Sequence, residues 1–292
     1  MRKMTLLLLL LGLPCLLSAQ KTTTAVQRQM TAQRTQNPLK IDGKLDEADW
    51  QRAPIADGFV QFSPQPGAAS QQRSEVRVLY DNIALYVGAR LYDTSPDSIL
   101  TQMTERDELG VTDFFGVLID AYQDGINGLG FVVTPKGIQY DTKYSAVSFG
   151  DGPSVIAQGD TNWDAVWDAA AEMDGEGWTV EIMIPYSAIR FPEKAIQTWN
   201  INFIRQIRRT REESFWNTVN PAMNGLMNQS GTISGLENIE APIRLSATPF
   251  VVTYLENLHD AGGEPKNVWG RSFNAGMDIK YGLNDAFTLD MT

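Results

Sequence analysis

The stretch EVRVLYDNIALYVGARLYD constrains the fold of this chain more than any other. Apolar residues recur at every second position. Val76, Val78 and Tyr80 fall on one face, Arg77 and Leu79 on the other. That period belongs to a pleated strand, and Asp81-Asn82 interrupts it midway. The reading is two strands, Glu75 to Tyr80 and Ala84 to Tyr92, joined by a tight turn.

The pattern continues downstream. DFFGVLIDAY reads as a strand, and the residues from Asp124-Gly125 to Gly128 turn it into GLGFVVTPKGIQYDTKY. Within that run, Thr134-Pro135-Lys136-Gly137 suits a type I turn, with Pro second and Gly fourth. AVWDAAAEM, the DGEG turn and GWTVEIMIP form a further hairpin, ended by Pro185 because Pro has no N–H to donate to a ladder. Tyr186 to Phe191 read as one short helical turn, and WNINFIRQIRR as the next strand. Many short strands with regular turn signals point to an all-β, antiparallel β-sandwich with little room for long helices.

A second regime starts near Arg244. In RSFNAGMDIKYGL, Phe273, Ala275, Met277, Ile279 and Tyr281 share one face, and FTLDMT alternates in the same way. LSATPFVVTYLE fits as an earlier strand of this kind. One apolar and one polar face over segments of about ten residues is the signature of a transmembrane β-barrel, and a half-buried soluble sheet gives the same pattern. These few strands cannot close a barrel, so the expectation is the opening of a truncated one.

Composition sets the function classes. The 292 residues carry a formal net charge of −11 and a single histidine, His259. Acidity argues against nucleic acid as a partner, because phosphates demand clustered Lys and Arg. One histidine excludes His-based triads and multi-His zinc sites. Arg2 and Lys3, the Leu6 to Leu11 run and Ser18-Ala19-Gln20 read as a secretory signal peptide cleaved after Ala19. Cleavage would remove Cys15 and leave an exported chain without disulfides. The organisation is therefore a signal peptide at 1–19, a flexible Thr/Gln-rich leader at 20–38, a sandwich at 39–243 and the first barrel strands at 244–292.

The segment IDGKLDEADW is more than a charge cluster. Asp46 would cap a short helix, with Glu47 and Asp49 in its acidic first turn, Gly43 in the preceding turn and Trp50 dropping into the core. The other reading, a calcium loop, finds no EF-hand-like series in Asp42, Lys44 and Asp46, though Asp42 or Asp46 could contribute a ligand. Asp113 and Asp120 could likewise hold a structural calcium. Their opposite side-chain parity would then require a bend in the strand.

Sugar binding, which the family resemblance set out below implies, needs exposed rings against the apolar face of a pyranose and fixed polar groups for its hydroxyls. Trp163, in the polar loop GDTNWD, and Trp167, four residues on with the same parity, are the candidates, with Trp216 in REESFWN as a third. Arg106 and Asp107 in ERDE are candidate polar partners, and so is the mixed-charge run Arg205 to Glu213; surface ion pairing explains such residues equally well. Trp178 and Trp199, inside apolar strands, read as core. A glycosidase would need a carboxylate pair across a cleft, and no spacing among the 35 acids singles one out.

IDGKLDEADW followed by VRVLYDNIALYVGARLYD resembles the opening of carbohydrate-binding module family nine. DFFGVLID, GWTVEIMIPYSAIRF and WNINFIRQIRRTREESFW follow in matching order, so that the resemblance covers about 39–243. The tail GMDIKYGLNDAFTLDMT is similar to the start of an outer-membrane barrel family of unknown function that follows this module in exported bacterial proteins. The resemblance implies a sandwich that binds an oligo- or polysaccharide such as a plant-type β-glycan, tied to the outer membrane of a Gram-negative bacterium. Two alternatives stay open: a plug or docking domain without sugar binding, and a glycoside hydrolase.

Overall fold

The computed structural model describes residues 27–145, 154–240, 245–259, 267–282 and 288–291. The proposed signal peptide, Cys15 and the boundary at 243–244 fall outside the described residues. In chain order the strands are β1 (Gln29–Thr31), β2 (Gln33–Arg34), β3 (Val60–Ser63), β4 (Ser74–Tyr80), β5 (Ala84–Tyr92), β6 (Phe114–Asp120), β7 (Asn127–Val133) and β8 (Gln139–Ser145). They continue with β9 (Asp168–Asp174), β10 (Gly177–Pro185), β11 (Ile196–Ile207), β12 (Glu212–Phe215) and β13 (Gly231–Glu237). A third group is β14 (Leu245–His259), β15 (Asn267–Gly282) and β16 (Thr288–Met291). The one α-helix among the described residues, α1, spans Ala48–Arg52.

Two sheets form the sandwich. The larger runs β1-β13-β11-β6-β7-β8, with β12 and β3 extending from β11; the smaller runs β2-β4-β5-β10-β9. The alternation of β4 is realised: Val76, Val78 and Tyr80 face the core between the sheets, and Leu79 faces away. The outward faces are also covered. Phe114, Leu118, Val132 and Ile204 pack against Ile156, Leu226 and Met227 from loops over the larger sheet. Leu79, Ala84 and Tyr86 pack under Trp50 on the smaller one. This second layer explains why FFGVLI is buried at every position and does not alternate.

The first segment of the sandwich is held differently from the sequence expectation. Glu47, not Asp46, occupies the N-cap of α1, and its side chain makes no capping bond. Its Oε1 accepts the Lys40 N–H instead, at 3.1 Å. Asp49 is buried and accepts hydrogen bonds from the Thr35 hydroxyl at 2.6 Å and the Asn37 amide at 3.2 Å. Trp50 is fully buried, as its pattern predicts. Its indole lies over Gly88, where an added Cβ would sit 3.0 Å from the ring, and its Nε1–H donates to Glu181 Oε1 at 3.0 Å. Glu181 Oε2 accepts the backbone N–H groups of Asp42 and Gly43 at 3.0 and 2.9 Å. One buried carboxylate of β10 thus fastens both ends of IDGKLDEADW to the sheet.

Two further expectations change. Part of the presumed leader is structure: β1 pairs in parallel with β13 and β2 in parallel with β4, because Met30 and Ala32 supply buried apolar contacts that a polar composition concealed. Tyr186 to Phe191 form overlapping turns (Ala188 N–H to Pro185 O, Ile189 N–H to Tyr186 O) that drop Tyr186, Ile189 and Phe191 into the core.

In the third sheet β14 pairs with β15 and β15 with β16, all antiparallel. The register places Val251 opposite Ala275, Pro249 opposite Met277, Ala247 opposite Ile279 and Leu289 opposite Tyr281, so these residues share one apolar face. That face is open: Val251 is 65%, Leu255 75% and Phe273 67% exposed. The other face carries Thr248, Asn274 and Asp278 and the Lys280–Asp290 ion pair. There Phe250 faces Gly276, whose absent side chain leaves room for the ring. An aromatic laid over a cross-strand glycine is a packing device of curved β-structures.

Candidate functional site

One end of the sandwich carries a cleft of about 740 Å³. Three connections build it: the turn after β6 with Tyr122, Asp124 and Asn127, the segment Trp163 to Val166 before β9, and Ser187 to Arg190 after β10. Leu245, Lys280 and Gly282 of the third sheet form part of the rim. The turn after β6 is set by acids that accept backbone donors. Asp120, almost fully buried, accepts from Gly125 N–H at 2.8 Å, Asp124 N–H at 3.3 Å and the Asn200 amide at 2.9 Å. Asp124 accepts from Ile126 and Asn127 N–H at 2.8 and 2.7 Å. Burial works against its charge, but the bonds from Asn127 and Ile126 outweigh this and hold its carboxyl below the ordinary range.

Trp163 lines this cleft and is partly exposed, with its ring edge-on to Phe131 at 5.8 Å. Tyr122, 44% exposed, lines it as well. Sequence reasoning missed Tyr122. The only signal was its place at the end of an apolar strand, immediately before the QDG turn.

Trp167 lies elsewhere in function. It is 3% exposed, packs on Phe131 at 5.3 Å and donates its Nε1–H to Asp141 at 3.1 Å. Trp216 is 4% exposed and covers Gly231 against Phe203. Neither ring offers an open face to a sugar. Parity misled for Trp167, because the side chain turns inward to meet a buried acid that the local pattern does not reveal.

Arg106 and Asp107 are brought together with that same acid. Arg106 donates to Asp141 Oδ1 at 2.6 Å, Gln139 Oε1 at 2.7 Å and Ala165 O at 2.9 Å. Asp107, in the left-handed region at φ 66°, accepts the Asp141 N–H at 3.1 Å. The pair therefore locks the loop before β6 and the segment carrying Trp163 onto β8. Arg106 and Asp107 position the cleft wall, and Asp141, also missed from sequence, is the hub.

The acids considered for calcium do not converge. Asp113 and Asp120 bracket β6, about seven residues and roughly 20 Å apart. Asp113 Oδ1 accepts the Arg208 N–H at 3.0 Å, and Asp42 pairs with Lys40 at 2.8 Å. Among the described residues no group of three or more His, Cys, Asp or Glu side chains is gathered as a metal ion would need.

A two-sheet sandwich with an open cleft at one end, lined in part by two aromatic rings, has the architecture of a binding module. Residues 41–214 match the model of the carbohydrate family 9 binding domain-like family, and the chain belongs to it. Residues 241–292 match a domain of unknown function, DUF5916. Among solved structures, a carbohydrate-binding module family 9 from Caldicellulosiruptor kristjanssonii in complex with glucose is similar at a TM-score of 0.50 and 14% identity, covering 74% of this chain and all of that one (100%). The same module in complex with cellotriose aligns at 0.48 and 14%, covering 71% and 93%. A protein from Bacteroides uniformis ATCC 8492 aligns at 0.53 and 11%, covering 71% and 99%. These likenesses concern the fold. No curated protein matches the chain.

Proposed function

We propose that the sandwich binds carbohydrate without transforming it, in the cleft between Trp163 and Tyr122. Family membership supports the ligand class, since a structurally similar member holds glucose. The single observation that carries the location is the pair of accessible aromatic rings on one cleft, beside Ser187 and Asp164. A pyranose would stack its C–H face on a ring and give its hydroxyls to those polar groups. The cleft carboxylates Asp120 and Asp124 are occupied by backbone donors, which suits holding a turn.

The test is calorimetric titration with xylo-, cello- and other oligosaccharides, glucose included, in a sugar-free detergent. Trp163→Ala is expected to weaken binding by about 1.4–2.8 kcal/mol, or ten- to a hundredfold, and Tyr122→Ala by less. Absence of saturable heat from the folded chain across the panel would refute this reading.

The finer part of the proposal concerns β14 to β16. Their uncovered apolar face, with Trp269 and Tyr281 toward its two ends, suits the lipid side of an outer-membrane barrel. The sandwich would then be an exported domain tethered at the outer membrane, supporting polysaccharide breakdown. Expressed with any natural continuation in a Gram-negative host, the protein is expected in the outer-membrane fraction, and Val251→Arg or Met277→Arg should reduce assembled protein several-fold. Recovery of both in the soluble fraction at unchanged yield would rule the tether out. A docking or plug role draws on one observation, the contribution of Leu245, Lys280 and Gly282 to the cleft rim.

A further inference from the structure

We infer that the end of the third sheet is a fourth wall of the cleft, so that a bound sugar grips the sandwich and the sheet together. The inference rests on the carbohydrate reading of this cleft and adds what its occupancy does. It starts from where the chain leaves the sandwich. β13 runs antiparallel to β11, and β11 antiparallel to β6, so β13 and β6 point the same way. Ile196 at the start of β11 faces Glu237 at the end of β13, and Asn200 faces Asp120 at the end of β6. The last strand of the sandwich therefore ends on the side of the turn that carries Tyr122 and Asp124. Glu240 and Leu245 lie five residues apart, which keeps the first residue of β14 within about 18 Å of the sandwich.

The ladder of the third sheet then gathers the rim. Leu245 pairs with Tyr281, which sets it beside Lys280 and Gly282. Leu245 belongs to the apolar face with Tyr281, whereas Lys280 and Gly282 belong to the other. Residues of both faces line the cleft, so the sheet meets it with its end and keeps its apolar face clear. Leu245 is 62% exposed and the Lys280 side chain 64%, which leaves both with surface to give to a ligand. Among the described residues no ladder joins the third sheet to either sheet of the sandwich. A sugar lying against both Trp163 and this rim makes contacts that exist only while sandwich and sheet stand side by side. Binding then favours that arrangement, and the arrangement favours binding by the same factor.

The test follows backbone hydrogen exchange in the full chain, in a sugar-free detergent, with and without xylo- and cello-oligosaccharides. At a concentration about ten times Kd, sugar is expected to slow exchange about tenfold at 163–166 and also at 245–247 and 280–282. Leu245→Ala with Lys280→Ala should weaken binding about three- to tenfold and, at matched saturation, erase the protection of the sheet. Asp290→Ala breaks the Lys280 ion pair but keeps the rim lysine, and should leave affinity within about twofold. Three results overturn the inference and leave sugar binding standing: protection confined to the sandwich, an affinity that the double variant leaves unchanged, or a loss in Asp290→Ala as large as in the double variant. No protection and no heat of binding, with these sugars or the wider panel, overturn both.

Discussion

Arg205→Met is expected to cost the sandwich about 3–5 kcal/mol, the range found when one partner of a buried charge network is removed. Arg205 leaves β11 on the inter-sheet face, in line with Trp199, Ile201 and Phe203, yet it is fully buried. It reaches the other sheet and donates to Arg73 O at 2.9 Å, Ser74 Oγ at 3.1 Å and Tyr92 O at 2.7 Å. It is the polar rivet of an otherwise apolar core. Burial pulls its guanidinium down to about 10, while Asp113 and Asp93 work the other way, so it stays charged. Methionine fills most of the volume but strands three acceptors and leaves two carboxylates without their central cation. Asp113 is the sensitive one, pushed up to about 6 by burial, with its Oδ2 unpartnered among the described residues. Chemical denaturation measures the loss, and Asp113→Asn in the Arg205→Met background should recover part of it. A loss below about 1 kcal/mol would mean that the network is no stronger than a surface pair.

Glu181→Gln gives the second large effect, and its sign depends on pH. Burial pushes the Glu181 carboxyl up to about 7 from the ordinary 4.5, against the bonds from Asp42, Gly43 and Trp50. Below pH 4.5 both folded and unfolded states carry the proton, and the site adds no pH dependence. Between 4.5 and 7 the unfolded chain ionises first, so stability falls as pH rises, by about 3 kcal/mol in all. Above 7 the loss is complete and flat. Glutamine removes this slope. At pH 5 it also sets an amide N–H₂ against the Trp50 indole N–H, or against two backbone N–H groups, where a protonated carboxyl can still accept. The variant should therefore be about 1–3 kcal/mol less stable at pH 5, with the difference closing and reversing toward pH 8. Thermal unfolding of both proteins across that range is the measurement; parallel curves would show that Glu181 does not titrate there.

The strands were legible because they obey a short-range rule. Val76, Val78 and Tyr80 alternate within seven residues, and the structure reproduces β4, β5 and β10 almost to the residue. Trp50 was legible as an anchor for a similar reason, being one large apolar ring in a polar segment. The site was much less so. Whether Trp163 or Trp167 meets solvent depends on Asp141, which lies more than twenty residues away and captures only the second. Tyr122 and Lys143 come to one cleft from opposite sides of the β6–β8 meander, and no local pattern records that meeting. Glu181 lies in the apolar strand GWTVEIMIP, and nothing in that strand marks it out. Its burial follows from a loop that sits about 140 residues earlier.

The pairing of β1 with β13 sets an order of events. Met30 is matched to Ile233, so the earliest strand of the sandwich has no neighbour until the latest one exists. A chain emerging N-terminus first can pair Gln33 and Arg34 with β4 early but must carry residues 29–31 unpaired until β13 is made, and such long-range closure is slow. Once Gly231–Glu237 arrives, one strand finishes the edge of the larger sheet and receives the waiting one in the same step. The next described strand begins at Leu245. Completion of the sandwich is thus timed to the moment just before the third sheet appears.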